Sequence, residues 1–161
     1  MTNHTKHELP LKGIRILDLT QGVTGPYATK LYADYGADVI KIERPDGGDL
    51  MRRAGPFPDD KPHTERSGVF LHINTNKRSL TLNLKTHSGQ QILHRLAAQS
   101  DLVFESFRPG TMAQLGLNSK LLADLNPRTS LIQISNFGQY GPYRDFEADD
   151  MLLYATGGVL Q

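Results

Sequence analysis

The chain has 161 residues, 38% hydrophobic and 22% charged, which suits one globular domain with its own core and excludes a disordered or low-complexity protein. Its net charge of +1 gives no electrostatic argument for nucleic acid or a membrane surface, and no stretch approaches the apolar length of a membrane span. With no cysteine there is no disulfide, no thiolate metal site and no cysteine nucleophile.

Residues 1–8 are polar, carry His4 and His7 and lack the apolar core of a signal peptide, so a flexible tail and a cytoplasmic protein are expected. Residues 14–19 read as a first strand. Thr20, Gln21, Gly22, Val23, Thr24, Gly25 and Pro26 form a turn, and a helix is predicted over 27–35 with Gly36 as its cap. Residues 38–43 follow as a second strand, apolar enough to be buried on both faces. Such a unit seats ligands at the carboxyl ends of its strands, and a small-residue turn there can present N–H groups to an anion. The same residues could equally do no more than shape the turn.

Residues 45–68 are rich in proline, glycine and charge and read as an irregular excursion over that face. A short element is expected over 69–73, a turn over 74–78 and an alternating strand over 79–84. Ser88-Gly89-Gln90-Gln91 resembles a capping box opening a helix to Gln99. A strand over 101–105 leads to a second turn, 106–110. Short helices over 112–115 and 121–125, a strand over 131–134 and a helix starting near Asp150 complete the pattern. This alternation predicts an α/β fold, an open parallel Rossmann-like sheet with helices on both faces.

Gly22 and Gly25 do not make G-x-G-x-x-G, so the dinucleotide fingerprint fails, although Glu43 stands where a ribose-binding acid would. Arg44 and Arg108, each at a strand tip, together favour an anionic, nucleotide-like ligand. For Asp149 and Asp150, the expectation is that Asp150 caps the last helix and Asp149 is solvated. The histidines lack metal-ligand spacing. Residue patterns stop here, at an α/β domain with an anion-binding edge.

A set of stretches in order is more specific. These are the first strand from Leu11 to Thr20, Gly25-Pro26, Tyr32 to Glu43, Arg44-Pro45, Asn76-Lys77-Arg78-Ser79, Leu82 to Lys85, Phe107 to Gly110, Leu115 to Leu117, Leu125 to Pro127 and Phe137 to Pro142. Together they resemble the N-terminal portion of the family III CoA-transferases, the group of formyl-CoA transferase, the carnitine CoA-transferase/dehydratase proteins and α-methylacyl-CoA racemase.

The resemblance implies residues 9–161 as the N-terminal part of a large CoA-binding domain, with the small domain and the C-terminal return absent. It implies a CoA thioester as substrate, no permanently bound cofactor, an acyl-CoA and a carboxylic acid as partners, and a homodimer in the full-length form. By motif position Val23, Thr24, Arg44, Leu82, Asn83, Leu84, Lys85, Ser106, Phe107 and Arg108 would contact CoA. The family often has asparagine where Ser106 stands, and some members a basic residue where Gln114 stands. The nucleophilic aspartate of the family's transfer reaction is expected beyond Gln161, so the isolated chain is expected to be inactive. Two alternatives are a non-catalytic CoA-binding or assembly module completed by a separate polypeptide, and a racemase fragment. Asp149 takes the place of the histidine found in the racemases.

Overall fold

The computed structural model describes residues 8–159; the polar tail expected over 1–8 lies outside them except for Glu8. Strand β1 (Arg15–Leu19) is followed by helix α1 (Thr24–Asp34) and strand β2 (Asp38–Glu43). Short 3-10 turns at Leu50–Arg53 and Pro58–Asp60 punctuate the proline-rich excursion. Then come α2 (Gly68–Ile73), β3 (Arg78–Thr81), α3 (His87–Ala98), β4 (Leu102–Glu105), α4 (Thr111–Gln114), α5 (Ser119–Leu125), β5 (Ser130–Gln133) and α6 (Asp150–Thr156).

All strand pairs are parallel and the sheet order is β3-β2-β1-β4-β5. The expected open sheet with helices on both faces is therefore observed. On one face Leu17, Leu19 and Val103 pack with Leu93 and Ala97 of α3, Met112 of α4 and Leu122 of α5. On the other Ile16, Val39 and Phe104 pack against Ala33 of α1, with Tyr32 edge-on to Phe104 at 5.5 Å between ring centres. Because successive residues of a strand point to opposite faces, β1 feeds both cores.

The chain runs from β1 outward to β2 and β3, then returns to β4 on the other side of β1. The sheet order therefore reverses between β1 and β4. Loops leaving these neighbours diverge above the sheet and open a crevice at their carboxyl ends.

Four local expectations are corrected. Helix α1 begins at Thr24 rather than at residue 27, because Gly25 and Pro26 are accepted in its first turn, where a proline lacks no needed N–H. Strand β3 ends at Thr81 instead of residue 84: Leu82 N still bonds Glu43 O at 2.8 Å, but Leu82 and Leu84 then turn in against the α3 core. The cap of α3 is Thr86, not Ser88; its Oγ1 accepts from Gly89 N at 3.1 Å. Likewise Asp149, not Asp150, caps α6 through Leu152 N at 2.9 Å.

Candidate functional site: a crevice between the β1 and β4 turns

The turn after β1 is held from beneath by charged side chains. Asp18, inside β1 and fully buried, accepts from Thr20 N at 2.9 Å and from the Thr20 and Thr29 hydroxyls. Lys77 donates to Asp18 Oδ2 at 3.0 Å, to Pro26 O at 2.7 Å and to Asn74 Oδ1 at 2.8 Å. Lys41, buried in β2, donates to Thr20 O at 2.8 Å and stands 2.9 Å from Asp49 Oδ2, an ion contact outside hydrogen-bond geometry. Asp49 Oδ1 accepts from Gly22 N at 3.2 Å and from Met51 N at 2.9 Å.

Burial pushes the Asp18 carboxyl up, but Lys41, Lys77 and the two hydroxyls outweigh it, so the group lies below the usual carboxylate range. Burial dominates at Lys77 instead and brings its ammonium down to about 8, against the pull of Asp18. The cluster continues outward. Glu43 Oε2 accepts from Asp49 N at 3.0 Å and from Arg52 Nε at 2.7 Å, and Oε1 from Arg52 Nη2 at 2.8 Å and Ser79 Oγ at 2.9 Å. Arg52 also lies over the Phe70 ring, 3.8 Å from its centre.

These contacts correct the reading of the turn as a donor of its own N–H groups. Thr20 N, Gln21 N and Gly22 N all donate to side chains: Asp18, Ser106 at 2.8 Å and Asp49. The turn is a rigid wall. Gly22 is needed for its shape, with φ at +79°. Gly25 is needed for its packing, since a Cβ there would lie 2.4 Å from Thr20 Cβ. What opens upward is the N-terminus of α1. Val23 at its cap makes no side-chain hydrogen bond, and no acidic residue stands in its first turn.

The facing wall is the turn after β4. Glu105 is buried and accepts from Phe107 N at 2.7 Å and Gln133 Nε2 at 2.7 Å. Burial raises its carboxyl pKa against the pull of these two bonds. Ser106 Oγ joins this turn to the first through Gln21. Residues 134–148 form the third wall, stiffened by Phe137, Tyr143 and Phe146, whose ring centres lie 5.3–6.4 Å apart.

The resulting crevice has a volume of about 560 Å³, large enough for a drug-sized ligand. Val23, Thr24, Ser106, Phe107 and Arg108 all line it, so half of the residues expected to contact CoA are brought together. Arg108 pairs with Glu147 at its mouth. Arg44 is elsewhere. It is exposed, donates to Gly48 O at 3.0 Å, and lines a second cavity of about 180 Å³ with Glu43, Arg52 and Thr81. Leu82, Asn83, Leu84 and Lys85 line neither cavity: the leucines pack on the core, and Asn83 Oδ1 accepts from Lys85 N at 3.0 Å.

Sequence patterns missed the Asp18–Lys77 and Lys41–Asp49 pairs and the position of Arg144 in the crevice. The signal for the first two was present: an aspartate and a lysine inside otherwise apolar strands must be paired when buried. Among the described residues no group of histidines and carboxylates could hold a metal ion. Among them, too, no helix is long and apolar enough to cross a membrane.

Residues 11–161 match CoA-transferase family III. The chain belongs to this family. It is 39% identical over 155 residues to the succinyl-CoA–L-malate CoA-transferase beta subunit of Chloroflexus aurantiacus, covering 96% of this chain and 37% of that protein. It is 42% identical over 150 residues to formyl-CoA:oxalate CoA-transferase of Streptomyces avermitilis, covering 93% of this chain and 35% of the relative. A crystal structure of a CaiB/BaiF family protein from Brucella suis superposes with a TM-score of 0.86 at 35% identity, over 95% of this chain and 40% of that one. The chain thus spans well under half the length of the relatives it matches.

Proposed function

We propose that this chain is the CoA-binding portion of an enzyme that moves CoA from an acyl-CoA thioester to a free carboxylic acid. The observation that carries the reading is the crevice where the sheet order reverses, with the Val23-Thr24 and Ser106-Phe107-Arg108 walls joined by the Ser106–Gln21 bond. Its size and mixed polar and aromatic lining suit the pantetheine arm of a CoA thioester. Arg44, beside the second cavity, suits the phosphorylated nucleotide end. Leu82 to Lys85, which line neither cavity, would enter CoA binding by motif position alone.

Transfer on this reading runs through an aspartate. Its carboxylate attacks the thioester carbonyl and CoA leaves as thiolate, giving a mixed anhydride. The thiolate then attacks the aspartyl carbonyl and the first acid departs as its carboxylate. The acceptor carboxylate reverses the sequence, so the aspartate is regenerated and the new thioester carries CoA.

The crevice carboxylates are poor candidates for that role. Glu147 is paired with Arg108, and Asp145 Oδ1 lies 3.7 Å from Arg144 Nε. On this reading the described crevice supplies CoA binding, and neither Glu147 nor Asp145 serves as the nucleophile. The names of the relatives, which act on succinyl-CoA with malate and on formyl-CoA with oxalate, favour small acids as acyl and acceptor groups. A soluble cytoplasmic homodimer is the corresponding assembly of the longer protein. Exposed Tyr140, Met151 and Tyr154 are surface available to it.

The test is calorimetric titration of the purified chain with CoA and, separately, with NAD. Saturable binding of CoA and none of NAD is expected. Binding of NAD, or no binding of CoA, would overturn the assignment.

A further inference from the structure

Every N–H of the Lys77 ammonium is committed. Its side chain is 2% exposed and reaches inward from the turn between α2 and β3, where Asn76 takes the left-handed conformation at φ +64°. The three N–H groups go to three oxygens, Asp18 Oδ2, Pro26 O and Asn74 Oδ1. None of these acceptors can change role. The ionised carboxylate and the carbonyl only accept, and the Asn74 amide is held the present way round by the bond from its Nδ2 to Phe70 O at 3.0 Å. A neutral amine has two N–H groups and a lone pair. Loss of the proton therefore leaves one oxygen without its donor and sets the lone pair against it.

Lys77 lines neither cavity, but its partners lead to the crevice. Pro26 O belongs to the first turn of α1, directly after Val23, Thr24 and Gly25 of the crevice wall. Asp18 holds Thr20 and Thr29 on either side of that wall. The charged groups facing Lys77 are Asp18 of β1, Lys41 of β2 and Asp49 of the excursion. Farther out, Lys30 and Asp34 of α1 pair with each other, and His72 of α2 acts on Asp34. Two lysines and two aspartates thus balance beneath the turn. Removing one proton leaves a net negative charge under the wall that an anionic CoA ligand must approach. Burial brings the ammonium down to about 8, so mild alkali is enough to remove that proton.

We infer that Lys77 is a positioning residue for the crevice: its ammonium holds the first turn of α1 in ligand-binding geometry, and loss of that proton weakens binding. The inference rests on the CoA reading for its probe, and on the contacts of Lys77 for the wall. The fold itself survives the change. Because the folded value lies below the unfolded 10.5, the folded state holds fewer protons between about 8 and 10.5, and this group's contribution to stability rises with pH across that window. Binding should weaken over the same window, whereas a lysine needed only for folding would leave binding by the folded chain unchanged.

Calorimetry at pH 7, 8 and 9 measures the affinity of wild type, Lys77→Met and Lys77→Arg for S-methyl-CoA, which has no thiol to titrate. At pH 9 about a tenth of the wild-type chains keep the ammonium, so the apparent affinity should fall roughly tenfold from pH 7. Lys77→Met should bind roughly tenfold or more weakly than wild type at pH 7, with no dependence on pH. Lys77→Arg, charged throughout, should also lose the pH dependence and bind more tightly than Lys77→Met. A wild-type affinity that stays level, or a fall of the same size in Lys77→Met, would overturn the inference. A second measurement needs only wild type without ligand. The carbon-13 methyl resonances of Val23 and Thr29 should shift together with the Lys77 Cε resonance, around pH 8. Methyl signals that stay still while Lys77 titrates overturn the inference whether or not the variants fold. If S-methyl-CoA binds at no pH yet the methyl signals follow Lys77, the CoA reading fails and the positioning role stands.

Discussion

Glu43 shows how much one side chain can carry in this fold. It closes the second strand, is 5% exposed, and collects Arg52, Ser79 and the Asp49 amide on its two oxygens. Burial alone would raise its pKa; these partners outweigh it and hold the carboxyl at about 2, from an ordinary 4.5. A carboxylate depressed on folding contributes stability that is complete above its unfolded value and is lost as pH falls through the folded one. The window is therefore pH 4.5 down to about 2. Across it the wild type should lose up to about 3 kcal/mol that Glu43→Gln does not have to lose. Urea unfolding of both proteins at pH 6, 4 and 3 measures this, and a difference between them that stays constant with pH would contradict it. As a sequence position Glu43 read only as a weak ribose-binding match. Its true partners stand 9 and 36 residues away, a distance no local pattern spans. The same holds for Lys77 and Asp18, 59 residues apart.

At the scale of elements, the order of strands and helices was legible and their ends were less so. Apolar runs bounded by turn residues marked the inner strands β1, β2 and β4, and the exposed edge strand β3 was read from its polar and apolar alternation. Termini depend on which side chain reaches which amide, and here two caps moved. Ser88 had the spacing of a capping box, yet Thr86 adopts the extended conformation and accepts the Gly89 amide. The chain is tight there: a Cβ on Gly89 would lie 1.9 Å from Asn83 O. Thr86→Ala should therefore cost about 1 kcal/mol, and Ser88→Ala, at an exposed position, close to none. Chemical denaturation of the two variants distinguishes them; a larger loss in Ser88→Ala would restore the original reading of that terminus.

For the molecule as a whole, the sheet reversal between β1 and β4 does the placing, and the buried charges do the fixing. Topology brings Val23, Thr24, Ser106, Phe107 and Arg108 to one crevice although the two groups lie more than 80 residues apart in sequence. Strand-tip turns could be recognised because ligands gather at such ends in open parallel sheets. The third wall was harder to read. Arg144 sits in a loop whose path depends on aromatic packing, and nothing in its immediate sequence marks it as crevice-facing. The contact that closes the design is Ser106 to Gln21, which makes the two turns one surface. A ligand held there must touch both.

Amide hydrogen exchange of the chain with and without CoA tests that claim most directly. Protection should appear together in residues 21–25 and 106–110, the two turns that share the crevice. Protection of only one turn, or protection confined to other parts of the chain, would contradict it.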